Sequence, residues 1–281
     1  TVLRRGIAEG IALVGSMGSA LLSDGVSGAD HARRLVREIL SEARGDGSGL
    51  TWTSFADVLP LLAEAAPEAF LDAVHDDLDQ YKPLLATMFQ DADQSSSLYS
   101  SSPHTGLLWA LETICWSPDC LPEATRALAR LHGVDPGGRL SNRPLSSLES
   151  VLAGWVRHTA APLDLKVGAV EQISRQLPNV GWRLILALLP SQHAVLSPPS
   201  APRFRDWKPE SRTVLITEWI QYIGHLVRLA IELAGNDAEG WAELSEHLGP
   251  LPPAERARLL DALDSFADPN SLTTQQRLLL W

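Results

Sequence analysis

Cysteine is scarce: Cys115 and Cys120 are the only two in 281 residues. No disulfide framework is available, and a reducing cytoplasm is the compartment that fits. No uncharged apolar run reaches the roughly 18 residues a membrane-spanning helix needs. The nearest approach, LITEWIQYIGHLVRLAIELAG, is broken by Glu218, His225, Arg228 and Glu232 and reads as an amphipathic helix. The opening residues, TVLRRGIAEGIALVG, carry no cleavage pattern of a secretory leader. Strand-length alternation of apolar and polar residues beside a hairpin turn is missing throughout, so sheets are not expected.

The motifs of most enzymes are missing as well. There is no H-E-x-x-H and no G-x-S-x-G elbow. The stretch Gly10–Ser16, GIALVGS, has the first spacing of a phosphate loop but not the lysine that must reach the phosphates. Gly6 and Gly10 read more simply as small residues that let helices approach. Cys115 and Cys120 have no second cysteine pair to complete a zinc site, so they are expected to be small buried hydrophobes. No cofactor and no metal is implied.

What the chain does have is helical periodicity. In ADHARRLVREILSEAR, apolar residues fall at Ala32, Leu35, Val36, Ile39, Leu40 and Ala43, one stripe of a helix. From Val214 to Ala234 a second stripe runs through Ile216, Trp219, Ile220, Ile223, Val227, Ala230, Ile231 and Ala234. Pro67, Pro103, Pro118 and Pro253 stand where first helical turns belong. Ser102 and Ser117 are placed as N-caps; Gly133, Gly235 and Gly249 are placed as C-terminal caps. Trp109, Trp116, Trp155, Trp182, Trp219 and Trp241 fall within apolar stripes and are expected mostly in the core. Thr273 with Gln276 has the spacing of a capping box that opens one more helix, so the chain is expected to be a piece of a longer one.

A faint repetition runs through these segments. APEAFLDAVHDDL, LPNVGWRLILALLP and DAEGWAELSEHLGPLP each put an aromatic (Phe70, Trp182, Trp241) about four residues into a helix after a short Pro or Asp turn. Pro60, in SFADVLPLLAEAA, sits inside a helical pattern and is expected to kink it. Over residues 30 to 267 this pattern resembles HEAT and armadillo repeats, as found in helical-repeat regions inside large bacterial proteins. The resemblance implies an all-α fold, a right-handed stack of antiparallel helix pairs (a HEAT-like α-solenoid) with roughly a dozen helices, and no particular activity. An irregular multi-helix domain is the competing architecture. Residues 1–281 are taken as one helical-repeat domain, with lobe boundaries near 91–106 and 189–213, the two long irregular loops.

Charge is uneven. The chain carries a formal −11, which disfavours nucleic acid and anionic membrane as partners of the whole molecule. Residues 126–213, however, hold twelve Lys or Arg against six Asp or Glu, a net of +6, and leave 11 against 28 elsewhere. Within this basic middle, DPGGRLSNRPLSSL (residues 135–148) is a strong turn signal. The turn accounts for its glycines, prolines and Asn142, but not for Arg139 and Arg143. These two either brace the loop against helix-end carbonyls or recognise a carboxylate or phosphate on a partner. The second loop contains RFRDW, and Phe204 and Trp207 are expected to fold it back onto the body.

Three functional hypotheses follow. The first is a non-catalytic scaffold or protein-interaction module, with another protein or another domain of the same parent chain as partner. Its contact patch would be built from Arg139, Asn142, Arg143, Arg203, Arg205 and Trp207. The second is anion, nucleotide or nucleic-acid binding on that same patch, read out through phosphate contacts. The third is an enzyme built on His104, which lies among serines in SSSPHTG, together with the long loops.

Overall fold

The computed structural model describes residues 2–22, 25–91, 102–191, 196–209 and 211–266. These form thirteen α-helices and one 3-10 turn: α1 (Val2–Ser16), α2 (Gly28–Gly45), α3 (Leu50–Ser54), α4 (Leu59–Ala65), α5 (Pro67–Leu78), the 3-10 turn (Leu84–Met88), α6 (His104–Ile114), α7 (Leu121–Val134), α8 (Pro144–Leu152), α9 (Leu163–Gln176), α10 (Pro178–Leu188), α11 (Ile216–Ala234), α12 (Ala238–Ser245) and α13 (Pro253–Phe266). Among the described residues there is no strand, only an isolated bridge between Leu21 and Ser27. The fold is all-α. The chain divides into two compact units. The first comprises residues 1–151, 158–161 and 198–210; the second comprises 152–157, 162–197 and 211–281. Thr273 and Gln276 lie outside the described residues.

In the first unit the apolar stripes determine which helices meet. Ala32, Val36, Leu40 and Ala43 of α2 are all fully buried, the face the periodicity marks out. Helix α1 packs on α2 and α4, α4 on α5 and α6, and α6 on α7; α2 packs on α5, and α5 on α7. Close approach depends on missing side chains. A Cβ at Gly15 of α1 would collide with the carbonyl of Ala65 at the end of α4, and one at Gly106 of α6 would collide with the carbonyl of Ala56. Gly6 and Gly10 face open space instead, so the tight contact of α1 is one helical face away from where the sequence suggested. The centre is filled by Trp52, Phe70, Leu107, Leu108 and Leu111, all fully buried.

Punctuation by proline is partly displaced. Pro67 and Pro253 open α5 and α13. Pro60 does not kink a helix: the chain turns over residues 55–58, a new helix starts at Leu59, and Pro60 occupies its first turn. A helix start tolerates proline because the first N–H groups have no intrahelical acceptor. Ser102 and Ser117 are not the caps; α6 starts behind Pro103, and α7 starts behind Cys120, neither with a side-chain cap. Gly133 lies within α7, which leaves its last turn in an extended conformation at Asp135. Gly235 does close α11, with φ 45°.

In the second unit α11 is the hub, in contact with α9, α10, α12 and α13. A helix contacted on several sides buries more than one stripe. Tyr222, Leu226 and Leu229 are therefore buried alongside Ile223, Val227, Ala230 and Ala234, while Ile216 is exposed. The Tyr222 hydroxyl donates to the Leu152 carbonyl at 2.7 Å. Its ring lies against Gly154, where any Cβ would collide with it. The tryptophans are less uniformly internal than their periodicity suggests. Trp52 and Trp241 are buried, Trp109 is 49% exposed, and Trp116 and Trp182 are half-buried. The indole N–H groups of Trp116 and Trp182 donate to Ser200 O at 2.8 Å and to Glu243 at 2.7 Å. A half-wet indole with its N–H satisfied is a stable arrangement.

Candidate interaction site

Residues 198–209, between α10 and α11 in the chain, belong to the first unit and lie across α6, α4 and α1 as an extended strap. The sequence PPSAP at 198–202 explains the extension: proline fixes φ and pushes the residue before it out of the helical region. Four of the main-chain N–H groups that remain are met by carboxylates. Ser200 N–H donates to Glu112 of α6 at 2.7 Å. Arg203 N–H donates to Glu64 Oε2 at 3.0 Å, and Arg205 N–H donates to Glu64 Oε1 at 2.6 Å. Phe204 N–H donates to that same Oε1. The Arg203 guanidinium pairs with Glu9 of α1. Each of the three helices thus contributes one glutamate to the strap.

Side chains complete the attachment. Arg205 donates Nε to the Glu64 carbonyl at 3.0 Å and Nη2 to the Ala65 carbonyl at 3.1 Å. It therefore caps the C-terminal end of α4, where free carbonyls and the helix dipole favour a cation. Arg205 also lies over the Trp207 ring, 5.5 Å from its centroid, and Arg203 over Phe204 at 5.1 Å. Glu64 is 2% exposed, a carboxylate tolerable inside only because N–H donors surround it. Burial pushes the Glu112 carboxyl above its ordinary range, against the opposing pull of Ser147 Oγ–H at 2.6 Å and Ser200 N–H. Burial likewise lowers the Arg205 guanidinium, countered by Glu68 and Glu64.

A second polar cluster surrounds the first residue of α6. His104 is fully buried and stacks on Phe89 with centroids 4.8 Å apart. Its Nε2–H donates to the Asn142 carbonyl at 3.1 Å, which leaves Nδ1 to accept from Ser102 Oγ–H at 2.7 Å. Ser102 Oγ also accepts Gln90 N–H at 3.1 Å, and its one proton is shared between Nδ1 and the Met88 carbonyl, 3.1 Å away. Asp91, also fully buried, lies 3.8 Å from Nδ1; it accepts Leu140 N–H at 2.9 Å and pairs with Arg143. Arg143 also pairs with Asp135 at 3.0 Å and donates Nε to the Leu140 carbonyl at 3.1 Å. A Cβ at Gly138 would strike Arg143 and Asp91, so that glycine makes room for the pair. Burial pushes the Asp91 carboxyl up, but Leu140 N–H and Arg143 outweigh it and hold the group below its usual range. His104 is lowered, chiefly by burial, and is neutral at pH 7.

The sequence-derived patch therefore separates into two places. Arg143, the Asn142 carbonyl and His104 form the buried cluster, and Arg139 is exposed beside it on the 135–143 loop. Arg203, Arg205 and Trp207 belong to the strap. His104 and Glu112 are eight residues apart on α6, about 12 Å along its axis. His104 has both nitrogens committed and no access to solvent, and Ser102 is a brace. Sequence reasoning missed the acidic half of each cluster: Glu9, Glu64 and Glu112 under the strap, Asp91 and Asp135 around Arg143. A signal was there for two of them. Glu64 in LPLLAEAA and Glu112 in LLWALETICW are solitary charges in helices apolar nearly all round, and such a charge is kept only where donors reach it.

Among the described residues no group of three or more His, Cys, Asp or Glu side chains is placed to hold a metal ion, and no helix is long and apolar enough to cross a membrane. Comparison with protein-family models, curated proteins and solved structures gives no match to this chain.

Proposed function

We propose that this chain is a non-catalytic scaffold, a protein-interaction module of a larger cytoplasmic bacterial protein, built in its first unit as a HEAT-like stack of helix pairs. Three successive pairs, α1/α2, α4/α5 and α6/α7, support that architecture. Their first helices pack in series (α1, α4, α6), and so do their second helices (α2, α5, α7). Stacked pairs of this kind offer long, regular faces made of one helix per repeat, which suits them to holding extended partners. Cys115 and Cys120 are buried and form no disulfide, as suits a reducing compartment.

One observation carries the functional reading: a face of three serial helices presents one glutamate from each, and together they hold an extended segment of polypeptide. A main-chain docking face is the equipment of a binding module. The test uses the purified full chain as bait, followed by reconstitution with the purified candidate partner in a calorimeter. A stoichiometric protein complex is expected. Trp109→Ala or Arg139→Glu should weaken it by about tenfold or more, roughly 1.4 kcal/mol, with helicity unchanged. Failure to form any stoichiometric protein complex removes the proposal. Tight, steeply salt-dependent capture of an oligonucleotide instead would transfer it to nucleic acid.

A further inference from the structure

We propose that the α1–α4–α6 face is a docking groove for an extended Arg–aromatic–Arg segment of a partner protein, and that residues 200–207 are its resident occupant, a tethered mimic the partner displaces. This rests on the interaction-module proposal and adds the chemistry of the partner to it. Recognition on this face is mostly of main chain. Glu64 takes the N–H groups of Arg203, Phe204 and Arg205, and Glu112 takes that of Ser200. Main-chain recognition does not distinguish the chain's own segment from another of the same shape. Sequence preference comes from Glu9, which pairs with one arginine, and from the α4 carbonyls, which take the second.

Three features make the strap displaceable. Among residues 200–209 every described one is exposed or half-buried, and only Pro199 just before them is buried. A segment with so little burial opens at low cost while the helices below keep their core. Once it lifts, the Glu64 carboxylate exchanges three main-chain N–H donors for water, and the face is open to any chain that returns them. Finally, the face continues past the strap. Trp109 is 49% exposed and precedes Thr113 by one turn of α6; Ser200 docks on Thr113 and on Trp116, which lies just past the end of that helix. A partner reaching Trp109 gains a contact the strap lacks, which lets it overcome a tethered competitor whose effective concentration is on the order of millimolar.

The experiment uses the full chain and a fluorescent synthetic peptide of the sequence LSPPSAPRFRDWKP, residues 196–209. The wild-type chain should take up the peptide weakly. The doubly substituted chain Arg203→Glu, Arg205→Ala, whose own strap is loosened while the face is intact, should bind it about tenfold or more tightly. Adding Glu64→Ala to that chain should abolish uptake. Equal binding by wild-type and loosened chains of unchanged helicity overturns the proposal, as does a shift to dimer without peptide uptake, which would mean strap exchange between copies. A loosened chain that fails to fold is replaced by hydrogen exchange on the wild type. Arg203–Arg205 amides should exchange at least about a hundredfold faster than those of Leu108 and Leu111. Equal protection would make the strap a permanent brace and refute displacement. That failure leaves the interaction-module proposal standing, because capture of a partner by the intact chain does not require the strap to move.

Discussion

Replacing Glu64 by alanine removes the acceptor for three consecutive main-chain N–H groups at once. Each hydrogen bond to a charged acceptor contributes on the order of 1.5–3 kcal/mol net, so a simple sum would exceed 4 kcal/mol. Two effects reduce it. The carboxylate is 2% exposed, and deleting it relieves a desolvation cost of several kcal/mol. The strap also has only one buried residue, so it can lift and let its N–H groups find water, which caps the loss at what the strap contributes. The expected net is a loss of about 3 kcal/mol, near 6–12 °C in Tm for a unit of this size. Glu64→Gln should lose less, about 2 kcal/mol, because one oxygen still accepts while the amide nitrogen confronts an N–H. Urea denaturation gives the stability, and hydrogen exchange at residues 203–205 shows whether the strap has left. A loss below about 0.5 kcal/mol in both variants, with protection at 203–205 unchanged, would mean that the carboxylate is not what holds the segment.

Further consequences can be checked on the same protein. Gly15→Ala and Gly106→Ala should each destabilise by about 1–3 kcal/mol, because the new methyl meets a main-chain carbonyl that cannot move aside; Gly6→Ala and Gly10→Ala, in open helix, should stabilise by about 0.5–1 kcal/mol, and denaturation midpoints with the opposite order would contradict the packing described. Arg143→Ala should cost about 3–5 kcal/mol by leaving buried Asp91 without its cation, and Asp91→Asn should recover part of that in the double variant; strictly additive losses in the cycle would show the two groups to be uncoupled. His104 is lowered by burial, so its stabilising contribution is complete above its unfolded value near 6.5 and is lost as pH falls through the folded one. His75 and His247 shift in the same sense, so the readout is the difference: between pH 7.5 and 5.5 the His104→Asn protein should lose less stability than the parent, and parallel curves would exclude a buried neutral histidine.

The helices were legible because amphipathic spacing is a local property. Four of the six stripe residues of α2, Ala32, Val36, Leu40 and Ala43, are fully buried with Leu35 and Ile39 half-buried beside them, and the breakers at Pro67, Pro253 and Gly235 mark real helix ends. What the sequence left unread depends on the other side of a contact. The stripe of α11 was too narrow because it considered one packing face, whereas four helices meet α11. Pro60 was read as a kink, but proline suits a helix start equally well, and only the turn at 55–58 decides. His104 among serines resembled a nucleophile–base pair, but its neighbour at Nδ1 is a serine pinned by two other bonds, and its second nitrogen is taken by a carbonyl 38 residues away.

The basic middle of the chain shows the same limitation for charge. A surplus of arginine along a sequence looks like a site for an anion from outside. Folding answers it from within: seven of the twelve cations in residues 126–213 pair with an Asp or Glu among the described residues. Arg130 reaches back to Asp79, Arg143 to Asp91 and Arg203 to Glu9, each across 50 or more positions. The surplus of cations is thus met at several separate places, by near neighbours such as Glu123 and Asp206 as well as by distant carboxylates such as Asp79 and Glu9. Pairs such as Arg203–Glu9, exposed and screened by salt, contribute little to stability. What they contribute is register: they fix which stretch of the strap lies over which helix, while the buried carboxylates of Glu64 and Glu112 supply the hold. High salt should accordingly weaken the choice of segment on this face more than the stability of the helices beneath it.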